Sequence, residues 1–393
     1  MHRRRALHGE VASTRLLSTT TLAVAVASAA FVGVTFGAAR VEANPMDLAP
    51  ERLTLPCTPK TSPGGDVPCG GAFIGPEGSN VTNYYRPDHA AWAKLVSQYA
   101  WAIAPAAMHP ARTTGYGGFE FSLFGTISTI SKNEEFLRRG TEGAITSGKF
   151  PTENGSPDGV LQVYGVQGRK GLPYGFEIQG SAGYMANTEM VILGGGIRLS
   201  PFEGFRKGGL GVLPDISVGG YVNTLTGTNK VKMTVPAVDV QVSKPFTVAN
   251  QVVVQPYLGW QMIWIDVDSG VVDATPKVDG LGNCNARPAT PAEQAAGDSG
   301  EFHCQSGGGA AGALGPPDAK ANAAKLDLNN NLVFNNVRFR RQRVFVGLAF
   351  RYEVAHLLLH AMTDLSDPAS GGDERISGAA RQFTFGVATG VSW

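Results

Sequence analysis

From Gly115 onward, apolar and polar residues alternate with a period of two along many segments of the chain. One face of each segment is apolar or aromatic, and the other is polar, small or charged. This alternation is typical of strands whose outer face meets lipid and whose inner face meets a polar lumen. The pattern predicts an all-β fold, a transmembrane antiparallel up-and-down β-barrel of about ten strands, with about 8 to 12 as the range. We assign residues 113–393 to this barrel.

The lengths of the connections between these segments agree with an up-and-down barrel. The longest connections, about 131–158, 268–334 and 366–380, all fall on the same side when strands run alternately up and down. Outer-membrane barrels carry long loops outside the cell and short turns in the periplasm. We therefore expect these three connections to be extracellular and both ends of the barrel to be periplasmic.

A helical pattern precedes the barrel. Trp92, Leu95, Val96, Tyr99 and Ile103 recur at helical spacing and share one face, and Pro105 and Pro110 follow. This predicts an amphipathic helix at about 87–104 within a periplasmic leader, residues 44–112. The pattern leaves open whether the helix packs only for stability or inserts into the barrel. Its location could be inside the lumen, beneath it or against the membrane.

The first residues have the organisation of a targeting segment. Arg3, Arg4 and Arg5 precede a long apolar or small stretch, and Val41-Glu42-Ala43 fits the small-residue preference of signal peptidase. We predict a signal peptide over residues 1–43, with cleavage near Ala43, before Asn44. The alternative is an uncleaved inner-membrane anchor. Export and the barrel pattern together predict the outer membrane of a Gram-negative envelope.

Composition narrows the class of protein further. The 393 residues include 51 glycines, and only 17% are charged, whereas a typical protein has about 25% charged residues. Disordered chains are normally rich in charge, so this composition disfavours disorder. The formal net charge of +1 gives no reason to expect nucleic acid as a partner.

All four cysteines follow the predicted signal. Cys57 lies close to Cys69, and Cys284 lies close to Cys304. In an oxidising compartment such cysteines form disulfides. Three pairings are formally open, and we favour the two near-neighbour pairs because the intervening segments resemble loops. No tight spacing of metal-ligand type is present.

The last thirteen residues alternate to the end of the chain. Phe383, Phe385 and Trp393 share one face, which we predict to be lipid-facing. This segment resembles the C-terminal strand of bacterial outer-membrane β-barrel proteins, and the resemblance extends to the general pattern of 113–393. It identifies that superfamily and no specific family. The resemblance implies outer-membrane lipid as a partner and recognition of the last strand by the barrel-assembly machinery.

The polar face of the strands supplies the candidate lumen-lining residues. They are Glu120, Glu177, Arg198, Arg341, Arg343, Arg351, His356 and His360. These charges could form an internal ion-pair network or line a selective pore. The network is favoured because about ten strands enclose little more space than side chains fill. His356 and His360 lie four residues apart, about 13 Å along a strand, too far for one metal ion, so we expect them to make lumenal hydrogen bonds.

Three functions follow from these observations. The first is a narrow pore or small-solute transport channel, in which Arg198, Arg341, Arg343 and Arg351 would favour anions. The second is a non-conducting barrel that acts as a structural, adhesion or assembly protein through its extracellular loops. The third and most remote is an outer-membrane enzyme. Since the sequence contains no recognised catalytic motif, we predict that the protein is not an enzyme and uses neither cofactor nor metal.

Overall fold

Ten antiparallel strands close into a barrel, which confirms the predicted fold class. The computed structural model describes residues 44–57, 84–144, 153–202, 213–273, 286–288, 302–304, 331–365 and 381–393. Each barrel strand pairs with its neighbour along the chain, and the first barrel strand pairs with the last. The strands are β3 (Phe119–Thr129), β4 (Val160–Gly171), β5 (Phe176–Met185), β6 (Val191–Leu199), β7 (Asp215–Thr226), β8 (Val231–Ser243), β10 (Val252–Ser269), β15 (Val337–Tyr352), β16 (Ala355–Asp364) and β17 (Phe383–Ser392).

The remaining elements are short. There are two α-helices, α1 (His89–Ile103) and α2 (Glu135–Gly140), in the described part of the chain. It also has two 3-10 turns, Pro50–Arg52 and Pro173–Gly175. In the described part of the chain, no helix is both long and apolar enough to span a bilayer. The short strands are β1 (Thr54–Cys57), β2 (Tyr84–Pro87), β9 (Phe246–Val248), β11 (Val272–Asp273), β12 (Ala286–Pro288), β13 (Phe302–Cys304) and β14 (Asn331–Leu332).

The barrel has two unlike rims. One rim, which we call the long-connection rim, carries the connections 130–159, 270–336 and 365–382 and the shorter 186–190 and 227–230. The other, the short-turn rim, carries 172–175, 200–214, 244–251 and 353–354, and there the N–H of Phe119 donates to the carbonyl of Trp393 at 2.7 Å. The two longest barrel strands, β10 and β15, pair over Val252–Val267.

The outer face of the barrel is apolar, as the alternation predicts. Exposed aromatic and aliphatic side chains occur on this face of every barrel strand, including Phe121, Tyr164, Ile178, Leu193, Val222, Val240, Leu258, Trp264, Val346, Leu357, Phe383 and Phe385. A soluble protein buries such a surface, whereas a membrane barrel presents it to lipid. This apolar band and the closed sheet are the architecture of an outer-membrane β-barrel.

Pairs of glycine and aromatic residues shape the inner wall. A Cβ atom built on Gly347 would lie 2.2 Å from the Tyr257 ring, and one on Gly196 would lie 2.2 Å from the Tyr221 ring. Both tyrosines point inward and are nearly inaccessible to solvent. The glycines thus leave room for flat rings inside a narrow barrel.

Candidate functional site

A stretch of chain that precedes the barrel, residues 88–114, fills the lumen; we call it the lumenal segment. It starts at the long-connection rim, where the N–H of Asp88 donates to the carbonyl of Leu53 at 2.9 Å. Asp88 caps α1 by accepting the N–H of Ala91 at 2.9 Å. At the opposite end, the N–H of Thr114 donates to Glu177 at 2.7 Å, near the short-turn rim. The chain therefore passes along the barrel before β3 begins.

The part of the lumen nearest the long-connection rim is an apolar core. The predicted apolar face of α1 is buried there, and so are Trp101 and Ala93 on its other sides. Because α1 is enclosed almost all round, amphipathic patterning alone could not reveal its location. Trp92 stacks on Phe334, which leads into β15, at 5.0 Å between ring centres. Inward side chains that complete this core include Leu161, Ile192, Val235, Ile263, Ile265, Val267 and Phe339.

Arg341 joins the wall to α1 at mid-lumen. It forms an ion pair with Asp364, and both side chains are only 1% exposed. Its Nη1 donates to Gln382 Oε1 at 2.7 Å and to the carbonyl of Ser97 at 3.3 Å. The guanidinium also lies over the Trp101 ring. Both the charge and the hydrogen-bonding capacity of this arginine are therefore used inside the barrel.

Arg343 binds the bend that follows α1. Its Nη2 donates to the carbonyl of Pro105 at 2.5 Å, and its Nε donates to Gln261 Oε1 at 2.6 Å. Gln261 Nε2 in turn donates to Asp239 at 3.5 Å. Pro105 has no N–H to continue the helix, and its own carbonyl, beyond the end of α1, is buried and needs a partner from the wall.

A chain of four charges lies below this point. Glu177 accepts from Arg198 at 2.5 Å and from Arg169 at 3.3 Å, and Arg169 also pairs with Glu120. Arg198 donates to the carbonyls of Pro110 and, at 3.2 Å, Arg112 in the lumenal segment. With two cations and two anions, the cluster balances its own charge, which buried ions require.

His109 of the lumenal segment is held by the same cluster. Its Nδ1 lies 2.7 Å from Arg198 Nη1, and its Nε2 lies 3.3 Å from the Tyr221 hydroxyl. The Gln241 side-chain amide also lies 2.7 Å from Nδ1. The imidazole thereby fixes this turn of the segment against β6 and β7.

The two predicted lumenal histidines of β16 are not near one shared site. His360 Nδ1 lies 3.0 Å from the Tyr257 hydroxyl at mid-lumen. His356 lies nearer the short-turn rim, where its Nε2 is 3.1 Å from Ser122 Oγ and 3.5 Å from Glu120. Among the described residues, no group of three or more His, Cys, Asp or Glu could hold a metal ion.

A cavity of about 440 Å³ lies beside the lower part of the lumenal segment and meets the short-turn rim. Its polar lining includes Arg351, Glu353 and His356, and its apolar lining includes Met108, Val253 and Leu358. Arg351 is exposed at the cavity, where its Nε donates to the carbonyl of Glu353 at 3.1 Å.

Residues 44–57 lie at the long-connection rim. The N–H of Met46 donates to the carbonyl of Asn187, and the N–H of Ala49 donates to that of Gly140. Lys230 Nζ lies 3.2 Å from Glu51 and 3.0 Å from Glu142. The predicted leader, residues 44–112, thus has two described parts: residues 44–57, which we call the brace, at this rim, and the lumenal segment.

The eight predicted lumen-lining residues all belong to inward positions of their strands. Glu177, Arg198, Arg341, Arg343 and His360 are buried, Glu120 and His356 are partly buried, and Arg351 is exposed at the short-turn mouth. Sequence analysis did not single out Arg169, Asp239 and Asp364 as partners, although each has the inward phase of its strand. His109 carried no sequence signal because it belongs to neither a strand nor the helix.

Several predictions concern residues outside the described ranges: the signal peptide 1–43, Cys69, Cys284, the connection 366–380 and most of 268–334. Cys57 ends β1, and Cys304 lies in β13 opposite Ala286. The two disulfides therefore remain predictions. Phe383, Phe385 and Trp393 lie on the outer face and are exposed.

Comparisons with known proteins add distant likenesses only. No protein-family model and no curated protein matches the chain. Among solved structures, it resembles Ail, the attachment invasion locus protein of Yersinia pestis, with 9% identity, a TM-score of 0.22, and coverage of 71% of this chain and 99% of Ail. It also resembles the translocator domain of the autotransporter NalP from Neisseria meningitidis, with 11% identity, a TM-score of 0.26, and coverage of 77% of this chain and 96% of that domain. The β-domain of the Bordetella autotransporter BrkA is 9% identical, with a TM-score of 0.23, and coverage of 70% of this chain and 98% of that domain. Likenesses this distant carry no argument about function.

Proposed function

We propose that the protein is a non-conducting barrel of the bacterial outer membrane, which anchors and braces a surface at its long-connection rim. The barrel would hold this surface at the membrane for adhesion or assembly. In this proposal the lumen is part of the folded core and not a path for solutes.

One observation carries the proposal: three inward arginines donate to backbone carbonyls of the lumenal segment. Arg341 donates to Ser97, Arg343 to Pro105, and Arg198 to Pro110 and Arg112. These are three of the four arginines that would favour anions in a pore. An arginine that selects ions must face water in the path, whereas these are at most 3% exposed.

The length of the wall supports an exposed role for the long-connection rim. Strand β10 has 18 residues and β15 has 16, but about 9–11 tilted residues cross the hydrocarbon. Outward residues near this end of β8, β10 and β15 are charged: Lys232, Asp266, Asp268, Arg338 and Arg340. Arg338 pairs with Asp266 at 2.9 Å. Such residues suit a part of the wall that rises above the lipid on the extracellular side.

Single-channel recording in planar bilayers tests the proposal. The folded full-length chain should insert and give no discrete current steps. The double variant Arg341→Met with Asp364→Leu removes one attachment of the lumenal segment without leaving an unpaired buried charge, and it should give at most brief, irregular openings. Arg338→Gln, on the outer face of the same strand, is the matched control and should stay silent.

The contrary result would be steady, ion-selective steps from the unaltered chain. Selectivity that changed with Arg341 or Arg343 would then favour the narrow-pore hypothesis. A protease-protection check that the barrel has folded and inserted must accompany every silent recording, because an unfolded chain also carries no current.

A further inference from the structure

We propose that the cavity at the short-turn rim binds a small organic anion, a carboxylate attached to a compact apolar body. This site is separate from the surface at the opposite rim and does not depend on whether the barrel conducts. The argument rests on the size of the cavity, the polar atoms that line it and the apolar side chains beside them.

The cavity has the size of a ligand site. Its volume is about 440 Å³, and small-molecule pockets typically measure about 300–1,000 Å³. One side is formed by the lumenal segment from Met108 to Gly115, and the rest by the inner wall near the short-turn rim. Because the segment is tied to the wall by buried arginines, this space is a fixed feature of the fold.

Two buried polar atoms in the lining lack a partner within the described residues. They are Nδ1 of His356, whose side chain is 10% exposed, and Oγ of Ser392. A buried group without a hydrogen bond is costly, so each is suited to a ligand or a water molecule. The opposite nitrogen of His356 is already held by Ser122 and Glu120, which fixes the direction of the ring.

Charge in the lining points to an anionic head group at Arg351. Arg112 and Arg169 also line the cavity, and the charge of Arg169 is matched by Glu120 and Glu177. Arg351 lies at the mouth, and among the described residues its one hydrogen bond is from Nε to the carbonyl of Glu353. A guanidinium has five donors in a fork that fits a carboxylate in bidentate fashion. The carboxylate of Glu353, in the same lining, repels an anion, so its removal should raise the affinity of the cavity for an anion.

The remaining lining explains the apolar body. Met108, Val253, Leu358 and Ala388 present aliphatic surface to the cavity. A fully hydrated inorganic anion would leave this surface unused. An aromatic or short aliphatic carboxylate would contact the apolar side chains while its head group binds Arg351.

Fluorine NMR with 4-(trifluoromethyl)benzoate as the probe tests the site in the folded full-length chain in lipid nanodiscs. The benzoate should give a saturable shift, and the neutral 4-(trifluoromethyl)benzamide should bind at least about tenfold more weakly, since it lacks the charge that strengthens a hydrogen bond to a guanidinium. Empty nanodiscs measure partition of each probe into lipid.

Variants locate the probe. Arg351→Gln should weaken benzoate binding by about tenfold or more, and Glu353→Gln should strengthen it by a few-fold. His356→Phe should weaken benzoate binding and leave the affinity for the benzamide unchanged. Arg340→Gln, on the outer face of the same strand as Arg351, should leave it unchanged. Should Arg351→Gln fail to fold, the opposite effect of Glu353→Gln still tests the site.

Three results would overturn the proposal. The first is the absence of a saturable shift, which would mean that water alone occupies the cavity. The second is equal affinity for benzoate and benzamide, which would remove the role of charge. The third is binding that neither Arg351→Gln nor Glu353→Gln alters, which would place the probe elsewhere.

Discussion

The guanidinium of Arg341 lies 4.4 Å from the centre of the Trp101 ring, which places a wall cation over an aromatic side chain of the lumenal helix. The indole Nε1 donates to Thr384 of β17, two strands away from Arg341 in the wall, at 2.9 Å. Trp101 is thus held by side chains of two wall strands, β15 and β17. A cation over an indole contributes about 0.5–2 kcal/mol, with the larger values in dry sites.

Loss of Asp364 should destabilise the barrel more than loss of the whole ion pair. Asp364→Asn leaves Arg341 buried and unpaired, and removing one partner of a buried pair costs about 3–5 kcal/mol. The double variant Arg341→Met with Asp364→Leu removes both charges and should cost clearly less. Urea unfolding in lipid vesicles measures both. Equal losses of unfolding free energy in the single and the double variant would show that water reaches the Arg341–Asp364 pair.

Gly347 should not tolerate alanine. A Cβ atom there would meet the buried Tyr257 ring, and overpacking of this kind costs about 1–3 kcal/mol. Gly220→Ala is the matched control, because nothing lies within 4 Å of a Cβ built at that outward position. The melting temperature of the folded band on a gel distinguishes the two. A Gly347→Ala barrel as stable as the control would contradict the close packing of the inner wall.

Lys230 should hold residues 44–52 at the long-connection rim at every pH at which the lysine keeps its charge. Burial alone would lower the pKa of Lys230, but Glu51 and Glu142 outweigh it and hold that pKa above its usual value. Its contribution is therefore complete below a lysine's ordinary pKa of about 10.4 and is lost only as pH rises through the raised value. The native brace should not loosen through this group between pH 6 and 9.

Lys230→Met should reverse this behaviour. Burial already raises the pKa of Glu51, and loss of the lysine raises it further. A raised carboxyl pKa stabilises the fold as pH falls, so the variant's brace should be looser at pH 8 than at pH 5. Proteolysis between residues 44 and 57 measures this. Since Lys230 is about one third exposed, the loss at pH 8 should be only about 1 kcal/mol. Equal cleavage of variant and native chains at pH 8 would argue against the brace.

The proposed orientation, with the long-connection rim outside the cell, predicts which rim reacts with an external reagent. Val333→Cys at the long-connection rim should be labelled by a membrane-impermeant maleimide on intact cells. Tyr174→Cys at the short-turn rim should be labelled only after the outer membrane is opened. Both native side chains are exposed, at 52% and 91%, so access to the reagent depends on sidedness. The reverse pattern would place the long connections in the periplasm.

Much of the barrel could be predicted because its signal is local. Alternation sets the phase of each strand, so the inward positions of Arg341 and Glu177 follow from their neighbours alone. Closure also follows, because a sheet in lipid cannot leave an edge unpaired. The number of strands and the side of the longest connections needed only a count of the alternating segments.

The contents of the lumen could not be predicted in this way. The pattern of Trp92 to Ile103 describes a helix with an apolar face, and such a face can pack on a membrane, a wall or another helix. The burial of Gln98 and Ser97 on its polar side reveals enclosure, and that depends on contacts with distant strands. The choice of Asp364 as the partner of Arg341 likewise depends on strand register, which the sequence of one strand does not state.

Hydrogen exchange of the lumenal segment tests the central claim most directly. We would measure amide exchange over residues 89–103 in the folded full-length chain in nanodiscs. If α1 lies in the lumen, the amides of Leu95 to Ile103 should be protected for as long as those of the barrel strands, because they open only with the wall. Exchange within seconds, as in an isolated short helix, would contradict the filled lumen and restore the case for a pore.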